Sequence, residues 1–300
     1  MKKNQSGSNH LKIALIMFLI LMLLISVMFM IFMSNSKNDD ASATPDALDS
    51  QDAMVDGFSS GLDNISLDNS EALAEPQDDL NTTDEPTENE PYVDNGKPKI
   101  AITFDDGPWK KTTNRLLDLL VKYDSKATFF VIGEHASYNK DILKRTSDLG
   151  MEIANHTFTH NKLNENNVDV FLQDVEKAND IIEEITGKRA NLLRLPGGAF
   201  GYSDEAIAKI PYPIFNWNVD TRDWKNRDKQ TIIDSIMSNA KEGSIVLVHD
   251  IYEPTIDAME VVIPELINQG YEIVTLETLA LSMGVTWENG EIYTNLSKTD

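Results

Sequence analysis

Apolar and polar positions follow three different rules along these 300 residues. From Ile13 to Met33 the chain is apolar without a single charge. From residue 34 to 97 no period survives for more than a few positions. Beyond 98, short apolar runs alternate with amphipathic stretches, and this third regime is the one that predicts a folded domain.

In that domain, "KIAITF" (99–104) precedes "TTNRLLDLLVKY", and "ATFFVI" (127–132) precedes "SYNKDILKRTSDLG", whose Gly150 closes a helix. "MEIANH" (151–156) leads to "VDVFLQDVEKANDIIEEITG", where Val170, Val175, Ala178, Ile181, Ile182 and Ile185 keep a period near 3.6. "NLLRLP" (191–196), "IFNWNV" (214–219), "SIVLVH" (244–249) and "YEIVTL" (271–276) complete seven strand candidates, each followed by a helical segment. Strands that alternate with helices form a parallel sheet with crossovers. The fold class is therefore α/β: a distorted (β/α) barrel, complete or incomplete, with an open doubly wound sheet as the second choice.

The other two regimes divide the chain further. Lys2, Lys3 and Lys12 precede the apolar run, and its 21 residues reach about 31 Å as a helix. The pattern predicts a cytoplasmic tail over 1–12, an uncleaved transmembrane signal anchor over 13–33 with the lipid bilayer as partner, and everything later outside the cell. An Ala-x-Ala pattern at Ala41–Ala43 keeps a cleaved, released form open. Residues 35–97 hold 17 Asp or Glu against Lys37 and Lys97, which predicts a disordered, extended spacer over 34–97. A catalytic domain over 98–282 and a tail over 283–300 follow.

Charge and composition narrow the chemistry. Taking those 17 acids from 49 leaves 32 in the domain against 21 Lys and Arg, a net charge near −11 that argues against nucleic acid. The chain contains no Cys, which removes thiol nucleophiles and Cys-bound zinc. There is no G-x-G-x-x-G after the first strand and no G-K-[ST], so no nucleotide is expected, and no serine lies in G-x-S-x-G.

A parallel sheet gathers its chemistry at the carboxyl ends of its strands. Asp105 and Asp106 end the first run, His156 and His160 the third, Asp220, Asp223 and Trp224 the fifth, His249 and Asp250 the sixth, and Arg194 lies in the fourth. Two imidazoles and a carboxylate are a common set for a catalytic divalent ion. Thr157 and Thr159 favour extended backbone, so "HTFTH" predicts a loop pair and not the helical H-E-x-x-H arrangement. If one of Asp105 and Asp106 binds the ion, its neighbour stays ionised and can serve as general base. Opposite it, His249 can protonate a leaving nitrogen, with Asp223 to orient the ring and Trp224 to exclude water.

"TFDDGP" (103–108), "HTFTH" (156–160), "RLPGG" (194–198), "DTRDW" (220–224) and "LVHD" (247–250) resemble, in that order, the five motifs of the NodB-type polysaccharide deacetylases, carbohydrate esterase family 4. The resemblance covers residues 98–280. It implies a distorted (β/α) barrel, a monomeric catalytic domain, and metal-dependent hydrolysis of N-acetyl groups on N-acetylglucosamine polymers. By the same resemblance Asp105 is the base and His249 the acid. Asp106, His156 and His160 hold Zn2+ or Co2+, Arg194 positions Asp105, and Asp223 pairs with His249. Trp224 and Leu247 enclose the acetyl methyl, and the Gly197 N–H faces the oxyanion. Many relatives carry an aromatic residue where this chain has Gly197.

The expected substrate is peptidoglycan N-acetylglucosamine, with a cell-wall glycan as partner and the enzyme on the cell membrane, its catalytic domain extracellular. Acetylxylan, chitin oligosaccharides and a noncatalytic glycan-binding role are the alternatives.

Overall fold

Strand β1, Lys99–Asp105, is buried along its whole length and stands at the centre of the sheet. A strand covered on both faces reads as a continuous apolar run, as "KIAITF" does. The computed structural model describes residues 93–297.

The pairings of the main sheet are parallel. β1 pairs with β2 (Thr128–Val131), with β6 (Ile245–His249) and, at its start, with β7 (Glu272–Ile273). β2 continues to β3 (Glu152–Asn155), and β6 to β5 (Val219–Asp220). Leu193 then bridges Asn155 to Ile214 in β4 (Ile214–Phe215), which carries the sheet round towards β5. The α/β expectation thus holds, and the sheet is barrel-like.

Two expected strands are shorter than their sequences suggest. "NLLRLP" contributes only the Leu193 bridges, and "IFNWNV" splits into β4 and β5. Arg194 causes part of this, because its Nε donates to Phe215 O at 2.9 Å and its Nη2 to Asn216 O at 3.0 Å. Carbonyls taken by a guanidinium leave the strand ladder.

Side chains alternate across β1 and sort its residues by role. Ile100, Ile102 and Phe104 face outward to a core that includes Leu116, Leu117 and Leu120 of α1 (Thr113–Lys122). Phe104 stacks on Phe129 with ring centroids 5.2 Å apart, and burying each such ring contributes on the order of 2 kcal/mol. Ala101 joins the inner cluster with Phe130, Phe215 and Ile245, which Leu276 and Leu279 help to close. Thr103 and Asp105 continue along that inner face to the carboxyl end.

Helix α4 (Val168–Thr186) follows α2 (Gly133–Tyr138) and α3 (Lys140–Asp148). Asn167 caps α4 by accepting from Val170 N, and Gly187 ends it at φ 76°. After it come α5 (Asp204–Ile207), α6 (Asp223–Asn226), α7 (Lys229–Asn239), α8 (Glu253–Asn268) and α9 (Leu276–Met283). The segment expected as a tail folds back: β8 (Ile292–Tyr293) pairs with β4, and Leu296 is buried in the inner cluster.

The expected membrane anchor is corrected. Among the described residues no helix is long and apolar enough to cross a membrane. The longest described helix, Val168–Thr186, has 19 residues but carries Asp169, Asp174, Glu176, Lys177, Asp180, Glu183 and Glu184. Residues 13–33, and most of the expected 34–97 spacer, lie outside the described residues. The transmembrane helix, the lipid bilayer as partner and the single-pass cell-membrane location are therefore set aside.

Candidate active site

Asp105 ends β1 on the inner face, and Arg194 holds it there. The guanidinium is fully buried and donates from Nη1 to Asp105 Oδ1 at 2.6 Å and to Thr103 Oγ1 at 2.8 Å. Its Cζ lies 4.0 Å from the centre of the Phe130 ring. Burial draws Arg194 below the usual guanidinium range, and the Asp105 carboxylate opposes that shift. One carboxylate oxygen of Asp105 is thus committed to Arg194, and Oδ2 lies 3.6 Å from His156 Nε2.

Asp106, one residue further, takes a left-handed φ of 74°. Both carboxylates approach His156 Nε2 at 3.6 Å, and the two acids can stand side by side because Asp105 is also held by Arg194. His156 follows β3 and donates from Nδ1 to Arg194 O at 2.8 Å, so its Nε2 is left for a ligand's role. His160 returns to the same place through a loop, but the extended backbone expected at Thr157 is replaced by a left-handed turn. Thr157 and His160 have φ of 65° and 58°. Asn155 Oδ1 accepts from Thr157 N, and Thr157 Oγ1 accepts from His160 N. Asp174 on α4 accepts from Phe158 N, Thr159 N and the Thr159 hydroxyl.

These three residues fit a divalent ion. Asp106, His156 and His160 bring their donor atoms within 4.8 Å of one another. Asp106 Oδ1 is 3.6 Å from His156 Nε2 and 3.5 Å from His160 Nε2, and it is buried without a hydrogen-bond partner. A buried carboxylate oxygen left unsatisfied is costly unless something positive meets it. Burial, reinforced by the charge of His156, lowers the His160 pKa and favours the neutral ring that a ligand needs. Nitrogen and oxygen donors of this kind suit Zn2+ or Co2+.

His249 ends β6 and faces the cluster, its Nε2 4.0 Å from Asp106 Oδ2. Its Nδ1–H donates to Asp223 Oδ1 at 2.8 Å. Asp223 is itself fully buried and also accepts from His249 N, Trp224 N and the Thr255 hydroxyl. Burial disfavours the imidazolium, but the hydrogen bond and charge of Asp223, with the charges of Asp105 and Asp106, outweigh it and raise the pKa to about 9.

The cavity over these groups has a volume of about 540 Å³. Asp105, Asp106, His156, His160, His249, Gly197, Trp224 and Leu247 all line it, so the expected residues meet, with Arg194 and Asp223 acting from behind the wall. Lys162, Phe200, Trp217 and Asp220 line it as well. Phe200 and Trp217 meet edge to face at 5.5 Å. A side chain at Gly198 would strike both rings. The aromatic wall lacking at Gly197 is therefore supplied by Phe200, three residues later. A large apolar side chain directly after "PGGA" was its one sequence signal. His135 is not a ligand; its Nδ1–H donates to Asp106 O at 2.6 Å.

Comparison with known proteins agrees with this geometry. The family profile described as Polysaccharide deacetylase matches residues 92–211. The chain is 42% identical over 190 residues to the peptidoglycan-N-acetylmuramic acid deacetylase PdaC of Bacillus subtilis, covering 63% of this chain and 40% of that protein. It is 36% identical over 196 residues to a peptidoglycan-N-acetylglucosamine deacetylase of Bacillus cereus, covering 62% of this chain and 90% of that protein. A family 4 acetyl xylan esterase from Clostridium thermocellum in complex with a cobalt ion superposes with a TM-score of 0.61 at 28% identity, covering 65% of this chain and 98% of that one. The chain spans 40% and 38% of the length of the first curated relatives, PdaC and the PgdA deacetylase of Listeria monocytogenes. With the Asp-His-His cluster in place and 90% of a relative matched at 36% identity, the chain belongs to the NodB-type polysaccharide deacetylases, carbohydrate esterase family 4.

Proposed function

We propose that the protein is a metal-dependent deacetylase that hydrolyses the acetamide of N-acetylated amino sugars in peptidoglycan, N-acetylglucosamine first, and releases acetate. One observation carries this reading. A carboxylate held by Arg194 and an imidazole held by Asp223 each come within 4.0 Å of the same Asp-His-His cluster.

Asp105 is the general base. With Oδ1 bound to Arg194, Oδ2 is the oxygen that takes a proton from the attacking water. When bound by Asp106, His156 and His160, a divalent ion supplies Lewis acidity at the acetamide carbonyl and makes a neighbouring water more acidic. Gly197 lines the cavity, and in this reading its N–H shares the charge on the carbonyl oxygen. Trp224 and Leu247 enclose the methyl and keep bulk water from it. His249 completes the reaction. Its proton, stabilised by Asp223, passes to the amine nitrogen as the C–N bond breaks.

An amine is a poor leaving group unless it is protonated, so an imidazole whose pKa lies near 9 suits an amide substrate. Relatives named for peptidoglycan deacetylation support the choice of polymer. The test is acetate release by the full chain with Zn2+ or Co2+ on peptidoglycan, chitin oligomers and acetylxylan. Acetate and free amines should appear together on peptidoglycan and stop with chelator. Release from acetylxylan alone would replace the amide by an ester.

A further inference from the structure

A second cavity, also about 540 Å³, adjoins the catalytic one, and Lys162 is the one residue that lines both. Among the described residues the Lys162 ammonium has no ion-pair or hydrogen-bond partner. Gly197 is the reason the side chain can lie where it does. A Cβ at position 197 would stand 3.2 Å from Lys162 Cε and 3.4 Å from Nζ, and the residue has a φ of +79°. A side chain there would be strained at this φ, and the end of Lys162 would have to give by a few tenths of an ångström.

The lining of the second cavity offers donors. Asn164 and Asn167 spend Oδ1 on the backbone N–H groups of Asn166 and Val170, which leaves their Nδ2 groups to donate. Lys177 adds a second ammonium, 3.6 Å from the centre of the Phe158 ring. The single acid there, Asp174, is committed through Oδ2 to three donors of the "HTFTH" loop. Val170 is 56% exposed and supplies an apolar patch. Two cations and free amide donors, on a domain whose net charge is near −11, select an anionic and carbonyl-rich occupant.

We propose that this second cavity is a subsite for the anionic peptide arm carried by a sugar next to the one being deacetylated, and that Lys162 recognises a carboxylate of that arm. The proposal rests on peptidoglycan as the polymer. Peptide carbonyls meet the amide donors, a small apolar side chain meets Val170, and a carboxylate meets Lys162 at the border with the catalytic cavity. A neutral chitin chain has nothing to place there, so the subsite sets preference and not reaction.

The experiment compares KM for acetate release from soluble peptidoglycan strands with intact peptide arms and from chitin oligomers, using the full metal-loaded chain. Lys162→Met should raise KM on peptidoglycan roughly tenfold while raising it on chitin by about threefold at most. Raising salt from about 50 to about 500 mM should raise the wild-type KM on peptidoglycan several-fold, and the variant should show a weaker dependence, with Lys177 still present. Lys162→Arg should restore most of the preference. Val170→Glu, at an exposed position, should raise KM on peptidoglycan through repulsion. Equal KM increases on both polymers for Lys162→Met, or a peptidoglycan KM within twofold of wild type, overturns the subsite. Calorimetric binding of peptide-bearing fragments separates the two readings. Binding without acetate release from any polymer fails the reaction, whereas binding that Lys162→Met leaves unchanged, or no binding at all, fails the subsite.

Discussion

The two halves of the active site are finished to different degrees. On the proton-handling side, Asp105 is locked by Arg194 and His249 by Asp223, and each supporting residue is fully buried and hydrogen-bonded. On the ligand side, Asp106 Oδ1 is buried with no partner, the His160 side chain is 44% exposed, and Asp106, Thr157 and His160 sit at positive φ. The protein alone fixes Asp105 and His249, the proposed base and acid, while the Asp-His-His cluster is left with an electrostatic debt that a cation settles. Preorganised proton donors and acceptors cost no reorganisation during reaction, whereas a ligand cluster must stay open enough to load its ion.

The sharpest way to break this contrast is to remove one member of each half. His156→Ala should lose the bound ion and lower kcat/KM by on the order of 10^4-fold, because Lewis acidity worth several kcal/mol leaves with it. Metal content by elemental analysis and acetate release read both effects. Asp105→Asn should retain the ion and lower kcat by about 10^3-fold, within the range for loss of a general base. An Asp105→Asn protein with full activity would sink the assignment of the base.

Asp223→Asn probes the acid with a smaller effect, about 10- to 100-fold in kcat. The sign of its pH dependence follows from His249, whose pKa is raised to about 9 from an ordinary 6.5. A raised imidazole pKa contributes stability that is fully present below about 6.5 and is lost as pH rises through about 9. In metal-free protein, the pH-dependent part of the Asp223→Asn cost should therefore be largest below pH 6.5 and vanish above 9, on top of a pH-independent cost from the donors His249 N, Trp224 N and the Thr255 hydroxyl, as read by thermal unfolding across that range. NMR titration of the His249 ring should show a lower pKa in the variant. An unchanged ring pKa would mean that Asp223 only packs against the imidazole.

The same division decides what could be read from the amino-acid sequence. Asp105 and His249 were legible because each ends a buried, mostly apolar strand, and His156 because it follows β3, all at carboxyl ends where a parallel sheet collects its chemistry. The five motifs then named their partners. Lys162, by contrast, lies in a polar loop with no period, and its approach to Gly197 depends on how two loops meet. Trp217 reads as one more strand residue until Arg194 takes the carbonyls of Phe215 and Asn216 and opens the strand. Leu296 lies past the last periodic helix, and its place is set by the Ser244–Asn295 bridge and by its N–H donating to Gly243 O. Local pattern finds residues whose position follows from one element, and misses those placed by the meeting of several.

Stability on loading the ion is the smallest effect and the one that most directly tests the unfinished half. Chelated protein carries an unpaired buried oxygen at Asp106, so an ion that binds the folded state alone should raise its stability. At a free concentration of 100 Kd the gain is about 2.7 kcal/mol, a shift of several degrees in Tm for a domain of this size. Asp106→Ala should abolish the gain, while Asp105→Asn should keep most of it, because Asp105 lies on the half that Arg194 already completes. In the chelated protein, Asp106→Ala removes the unsatisfied oxygen together with the ligand, which offsets part of the strain of placing Ala at φ 74°. Equal ion-induced shifts in the two variants would mean that both carboxylates share the cation, and the separation between a finished and an unfinished half would fail.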